Sequence, residues 1–298
     1  MGGSRTILIA GGSGFIGTEL AEQLRAAGHT VLILVRRPAR TPNERTWDPE
    51  ARWIKTSLID EADVIVNLSG ASISRLPWTL PYKREILQSR LLATSTLADA
   101  ILRSESPPEA FISGSAVGFY GDRPGEVLTE TSDPGQGFLA KVTDAWEKAA
   151  APAAEKTRVV LVRTGLVIGP RGGALKPLTL LTKAGLAGRL GSGEQNWPWI
   201  SLYDEAAAIR HLIDSGVTGP VNVVGPEPAP ASLVMQELAE RLHRPYWLPA
   251  PAWALRTALA DAGKDLLLAD QDVSSQKLTA DGFAFRDETV EKAVLAAV

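Results

Sequence analysis

The sequence predicts an α/β chain built on a doubly wound parallel sheet of the Rossmann type, with a smaller C-terminal lobe. Three observations carry that prediction. An apolar run at Thr6 to Ala10 leads through a glycine turn into a helix-periodic stretch and then into a second β-rich run within about thirty residues, which is a βαβ unit. The turn itself reads Gly11-Gly12-Ser13-Gly14-Phe15-Ile16-Gly17, a G-x-x-G-x-x-G pattern set between strand and helix. Further short apolar runs rich in Val and Ile, at Ala62 to Gly70, Ala110 to Gly121 and Arg158 to Val167, alternate with helical patterns, as strands buried on both faces of a parallel sheet do.

The glycine turn is the first functional signal. A side chain at Gly11 would crowd the tight turn, one at Gly14 would keep the backbone away from a pyrophosphate, and one at Gly17 would hold the helix off the sheet. The helix that starts at Phe15 points unpaired N–H groups and a partial positive charge at whatever anion sits there. Ile16, Leu20, Leu24 and Ala27 recur at helical spacing, and Gly28 suits the position after the helix end. The stretch therefore implies dinucleotide binding, with contacts from Gly11, Gly12, Ser13, Gly14, Phe15, Ile16 and Gly17.

The end of the second strand, Thr30 to Val35, selects between dinucleotides. An Asp or Glu there accepts from the ribose 2′-OH of NAD. This chain has Val35-Arg36-Arg37-Pro38 instead, with no acid. A guanidinium binds a 2′-phosphate that a carboxylate would repel, so the expected cofactor is NADP(H).

Residues 41 to 55 read as polar and irregular, with Trp47 and Trp53 covering the sheet. The strand ending at Asn67 places Asn67 to Ala71 at the ligand edge. A long helix follows from about Pro81 to Leu102, opened by Thr79 as a capping candidate. Asp122 to Gly137 reads as a surface loop, Phe138 to Glu155 as a helix carrying Lys141 and Trp146, and Tyr203 to Asp214 as another. Val221 to Val224 returns to the sheet. Ser232 to Leu242, Ala252 to Leu268 and Asp287 to Ala297 read as helices of the tail. The expected division is a nucleotide-binding domain over 1–170, rejoined by 200–224, and a substrate lobe over 171–199 and 225–298. The substrate cleft is expected between them, near Trp197, Trp199 and Trp247.

Bulk composition narrows the partners. The 298 residues are 45% hydrophobic and 22% charged, with a formal charge of -3, and no basic block interleaves with aromatics. Nucleic acid is thus not an expected partner. No apolar stretch approaches the ~20 residues that span a bilayer, and the short apolar run at Ile7 is not a signal peptide. The absence of cysteine excludes disulfides and thiolate chemistry and fits a cytoplasmic protein. The three histidines, His29, His211 and His243, have no ligand spacing, so no metal site is expected. A small-molecule substrate is the expected partner; oligomeric state is not legible.

The runs Gly11 to Gly17, Ile112 to Gly121, Arg163 to Pro170 and Gly219 to Val223 resemble the extended and atypical short-chain dehydrogenase/reductases, the family of sugar-nucleotide epimerases. Gln88-Ser89-Arg90, Gly191 to Gly193 with Pro198 to Ile200, and Gly282 to Phe285 are similar to the NAD-dependent epimerase-like group sometimes named for a cell-division inhibitor. The resemblance implies an NADP(H) site that adds Leu68, Ser69 and Gly70, Glu85 and Arg90, Ser113, Lys141 and Val167 to the glycine turn and to Val35, Arg36 and Arg37. It also implies a serine, a tyrosine and a lysine four residues after the tyrosine for proton and hydride transfer. The four tyrosines can all be checked. None has a lysine four residues on, and the position four before Lys141 is Gly137. Two readings stay open: Ser115, Tyr120 and Lys141 carry the chemistry from a different direction, or the chain binds NADP(H) without dehydrogenase chemistry.

Overall fold

In a computed structural model that describes residues 3–170, 172–173 and 175–298, seven parallel strands form one sheet. They are β1 (Thr6–Ala10), β2 (Thr30–Val35), β3 (Glu44–Thr46), β4 (Val64–Asn67), β5 (Ala110–Ala116), β6 (Arg158–Thr164) and β7 (Gly219–Val223). Their spatial order is β7-β6-β5-β4-β1-β2-β3, with every pairing parallel. The chain runs outward from β1 to β3, then restarts at β4 on the other side of β1. That reversal opens a crevice at the carboxyl ends of β1 and β4, where ligands of such sheets bind.

The helices that matter for the site are α1 (Phe15–Ala26), α2 (Leu80–Arg103), α3 (Phe138–Ala150), α4 (Leu175–Lys183), α5 (Leu202–Asp214), α6 (Ala231–Arg241) and α7 (Ala252–Leu259). Alternation along the strands divides them between the two faces of the sheet. Ile7, Ile9, Val64, Val66 and Ile112 join Leu20 and Leu24 of α1 and Ile209 and Leu212 of α5. Leu8, Leu32, Ile65 and Phe111 join Leu97 and Ile101 of α2 on the other face. A separate apolar cluster gathers Ile168, Leu178, Trp197 and Trp199 with Val234 and Leu238 of α6 and Val290 and Val294 near the C-terminus. The expected boundary after residue 170 falls beside residue 171, which lies outside the described residues.

Several segments depart from the expectation. The stretch read as irregular contains β3, a polar edge strand whose pairing with β2 no apolar pattern announces. Trp47 is buried as expected, but Trp53 is half exposed at 51% and does not cover the sheet. The apolar run 158–167 breaks at Gly165, where the chain passes so close to Pro198 that a Cβ would stand 2.2 Å from its carbonyl oxygen. After that break Leu166–Ile168 leaves the sheet and pairs with Trp199–Ser201. α3 ends at Ala150, before Pro152, and a 3-10 turn (Ala151–Glu155) completes the segment. α6 starts after Pro230, with no side-chain cap. The helix expected over 252–268 stops at Leu259, where Ala260 takes φ 49°, and resumes as a π turn, Gly263–Leu268. The last helix is shorter than its apolar pattern, Val290–Leu295, and starts where the Thr289 side chain accepts from the Lys292 amide.

Candidate functional site

The glycine turn lies at the crevice. Gly11 has φ +80°, and a Cβ there would stand 2.7 Å from the Leu68 carbonyl group. This close approach joins the β1 turn to the end of β4. A Cβ on Gly17 would stand 2.3 Å from the Gly11 carbonyl oxygen, so the helix can meet its own turn only through glycine. Gly14 is exposed and meets only the Gly11 oxygen, at 3.1 Å. It precedes α1 without any side-chain cap. The first amides of α1 are therefore open to an anion. Phe15 instead packs inward on the loop after β6: a Cβ on Gly172 would lie 2.4 Å from its ring.

A cavity of ≈ 420 Å³ continues from Gly12 and Ser13 along the end of β2 to Val35, Arg37, Thr41, Asn43 and Glu44. The two arginines differ in their partners. Arg37 is engaged by Glu44, its Nη1 and Nη2 donating to the two carboxylate oxygens at 2.8 and 2.7 Å. The Arg37 guanidinium and the Arg40 amide hold the Glu44 carboxyl down to about 2. Arg36 is exposed and makes no hydrogen bond or ion pair among the described residues. Arg37 lines the cavity with its guanidinium on Glu44, whereas Arg36 stands next to the lining with its guanidinium unengaged.

At the end of β4, Asn67 is buried and its Nδ2 donates to Thr94 Oγ1 at 2.8 Å, while its Oδ1 accepts from the Ser69 amide at 3.2 Å. Trp146 of α3 donates to the same Thr94 oxygen at 2.8 Å. Arg90 lies across this rim. Its Nη1 donates to the carbonyls of Ala71 (3.1 Å) and Ile86 (3.0 Å), and its Cζ stands 4.9 Å from the Trp146 ring centre. A Cβ on Gly70 would be 3.0 Å from that Cζ, so glycine there admits the guanidinium. Desolvation lowers Arg90 to about 10. No carboxylate pairs with it among the described residues. A half-buried cation whose hydrogen-bond partners are two carbonyls leaves positive charge at the rim that an anion can meet. Leu68 and Ser69 are half-buried at this rim, and Glu85 is exposed on α2. Val167 is buried in the short strand after Gly165.

The structure does not bring the three expected catalytic side chains together at an open surface. Ser115 is buried, and its hydroxyl donates to Glu147 Oε1 at 2.6 Å. Glu147 also grips Arg163, which in turn donates from Nη1 to the Tyr120 hydroxyl at 2.9 Å. Tyr120 has no exposed surface, and its hydroxyl donates to Asn222 Oδ1 at 2.6 Å. Burial pushes its pKa up, against the pull of Arg163. Tyr120 thus keeps its proton inside a closed network, where the sequence suggested an accessible donor. Ser113 is likewise fully buried in β5, its Oγ only 3.4 Å from the neighbouring Gly114 carbonyl, which corrects it as a cofactor contact. Lys141 is exposed on the first turn of α3 and belongs to neither network. Trp197 and Trp199 are 2% and 1% exposed and belong to the apolar core, so they do not line a cleft; Trp247 is 65% exposed.

Sequence reasoning missed Glu44, Glu147 and Asn222. One signal for Glu147 was present: Arg163 closes an apolar β-run, and a buried guanidinium requires a partner.

A doubly wound parallel sheet with a glycine turn at its reversal point and unpaired cations at the same rim defines a dinucleotide-binding α/β protein. Residues 7–225 match the NAD dependent epimerase/dehydratase family, and the chain belongs to it. Residues 250–297 match a domain of unknown function, DUF1731. An epimerase family protein of Mycobacterium bovis is 37% identical over 290 residues, covering 97% of this chain and 96% of the relative. The human epimerase family protein SDR39U1 is 34% identical over 283 residues, covering 94% of each. A crystal structure of that human protein (isoform 2) with NADPH superimposes with a TM-score of 0.88 at 31% identity, covering 97% of this chain and 98% of that one. The UDP-glucose 4-epimerase of Thermus thermophilus, at 20% identity and a TM-score of 0.74, shares the fold, covering 98% of this chain and 97% of its own.

Proposed function

We propose that the chain binds NADP(H) and serves as an epimerase-like oxidoreductase for a small polar or nucleotide-linked substrate in the cytoplasm. The observation that carries the cofactor assignment is the charge at the end of β2: Arg37, which lines the cavity, neutralises Glu44, the one carboxylate among the described lining residues, and the neighbouring Arg36 is exposed and unengaged for a 2′-phosphate. The human relative crystallised with NADPH supports the same choice. In this reading the α1 amides and the backbone at Gly14 hold the pyrophosphate, Arg36 takes the 2′-phosphate, and Arg90 supplies positive charge at the rim beside Ser69 and Gly70. When bound, the cofactor supplies or accepts hydride. In the same reading the described residues of the segments 172–199 and 225–298 form the substrate side of the cleft.

A second reading, an NADP(H)-binding sensor without turnover, is favoured by one set of observations: Ser115 and Tyr120 are sequestered, and Gly137 stands four residues before Lys141. Two measurements test these readings. Fluorescence titration with NADPH and NADH reports cofactor preference, and equal affinities would overturn the Arg36 assignment. NADPH oxidation over a panel of carbonyl compounds and nucleotide sugars separates enzyme from sensor, since a sensor reduces none of them.

A further inference from the structure

The crossover from β5 brings the N-terminus of α3 to the same sheet edge as the glycine turn and Arg90. Residues 259–266 reach this point from the C-terminal segment. Leu259, Ala262 and Leu266 pack with Trp78 and Tyr82 near the start of α2, with Phe138 and Leu139 of α3, and with Ala71 just beyond the Ser69–Gly70 rim. Asp261 pairs with Lys83 of α2, and the Leu267 carbonyl accepts from Gln195 Nε2 at 2.8 Å and from the Trp197 ring at 3.2 Å. The segment is thereby fixed on both sides of Asp265.

Asp265 Oδ2 accepts from the amides of Phe138 and Leu139, both at 3.1 Å. Its Oδ1 has no hydrogen-bond partner among the described residues. Gly137 adopts φ +114°, and a Cβ there would lie 3.2 Å from Asp265 Oδ1 and 3.4 Å from Oδ2. The space in front of α3, one turn before Lys141, is thus filled by a carboxyl group from the far end of the chain. One oxygen is fixed and the other is uncommitted. By contrast the hydroxyls of Ser115 and Tyr120 are both committed below the surface.

We infer that Asp265 is the proton-carrying group of the cofactor cleft and faces the redox ring of the bound dinucleotide. The inference rests on the NADP(H) reading above. In the reducing direction, the substrate carbonyl carbon gains a C–H bond by hydride from the reduced cofactor. The carbonyl π pair moves to oxygen, which takes the proton from Asp265 Oδ1, and the carboxylate regains a proton from solvent. Alcohol and oxidised cofactor are the products. Burial raises the Asp265 pKa against the two amides that lower it, which favours a carboxyl that holds its proton. The inference gives residues 250–297 a task in the site: they deliver this group.

Electrostatics supplies a test that needs no substrate. The nicotinamide ring is cationic in NADP+ and neutral in NADPH. A cation within ~6 Å favours an ionised carboxyl, so Asp265 should titrate lower in the NADP+ complex than in the NADPH complex. The charged groups around it are the same in both complexes: Asp261 and Lys264 on its own segment, Lys83 on α2, Lys141 on α3 and Asp122 on the facing loop. Side-chain carboxyl carbon-13 NMR, with the resonance assigned by Asp265→Asn, reads this directly. By linkage, the ratio of NADP+ to NADPH affinity in wild type should rise several-fold with pH through the Asp265 titration and should be flat in Asp265→Asn. Asparagine keeps an oxygen for the two amides but puts a carboxamide NH2 that does not ionise in place of Oδ1. An Asp265 titration identical in the two complexes overturns the inference. So does an Asp265→Asn variant that melts lower while its affinity ratio keeps the wild-type pH profile, the result for a structural cap. If wild type binds neither dinucleotide, the cofactor reading itself fails and this inference fails with it.

Discussion

The Glu147 carboxylate holds the Arg163 guanidinium with both oxygens, at 2.8 Å to Nε and 2.9 Å to Nη2, where only 11% and 4% of the two side chains are exposed. The pair links α3 to β6, and it also fixes Ser115 of β5 and, through Tyr120, Asn222 of β7. Removing one member leaves the other charged and desolvated. Glu147→Gln or Arg163→Met should therefore cost about 3–5 kcal/mol, read as a lower urea midpoint. A loss below ~1 kcal/mol would mean the pair is solvated.

Tyr120→Phe separates structure from chemistry. The variant leaves Asn222 Oδ1 and one Arg163 N–H without their partner, which should destabilise the fold by about 1–3 kcal/mol. Because the hydroxyl is enclosed, affinity for NADPH should not change. A large loss of NADPH affinity at unchanged thermal stability would place Tyr120 in the open cleft after all.

The two arginines after β2 should respond differently. Arg36→Asp puts a carboxylate where the 2′-phosphate is expected and should abolish the preference for NADPH over NADH, a change of tenfold or more in the affinity ratio. Arg37→Ala should instead loosen the loop between β2 and β3 by releasing Glu44, and then weaken NADPH through the freed carboxylate. In wild type the low Glu44 pKa keeps that ion pair until the pH falls toward about 2. Fluorescence titration of both dinucleotides checks each variant. Equal effects of the two substitutions on the ratio would mean that both guanidiniums reach the phosphate.

The sheet was legible because it is periodic. Val64, Ile65 and Val66 or Val159, Val160 and Val162 announce buried strands on their own, and the glycine turn joins helix to strand within seven residues. The site was less legible because its groups meet through topology. Ser115 and Glu147 are 32 residues apart, Tyr120 and Asn222 are 102 apart, and Asp265 meets Phe138 across 127 residues. No spacing rule connects them. β3 was missed for a different reason: Glu44-Arg45-Thr46 has no apolar face, and its pairing is set by the neighbouring backbone of β2. The expectation for Trp197 and Trp199 failed because composition cannot tell an aromatic that lines a cleft from one that fills a core.

Glu205 offers the sharpest pH test. It lies on α5 with no exposed surface; Thr164 Oγ1 donates to its Oε1 at 2.7 Å, and Oε2 has no partner among the described residues. Desolvation pushes its pKa up to about 8, above the ordinary value of 4.5, with only the Thr164 bond opposing. Below about 4.5 the folded and unfolded chains both carry the proton, and the group costs nothing through ionisation. Between about 4.5 and 8 the unfolded chain releases the proton while the folded chain keeps it, so stability falls as pH rises; above about 8 both release it and the loss levels off. The total is on the order of a few kcal/mol. Glu205→Gln keeps an oxygen for Thr164 and cannot ionise. Its urea midpoint should lie above that of wild type at pH 8.5, and the advantage should shrink steadily toward pH 5. A gap that is constant across this range would show that Glu205 does not titrate in the folded protein.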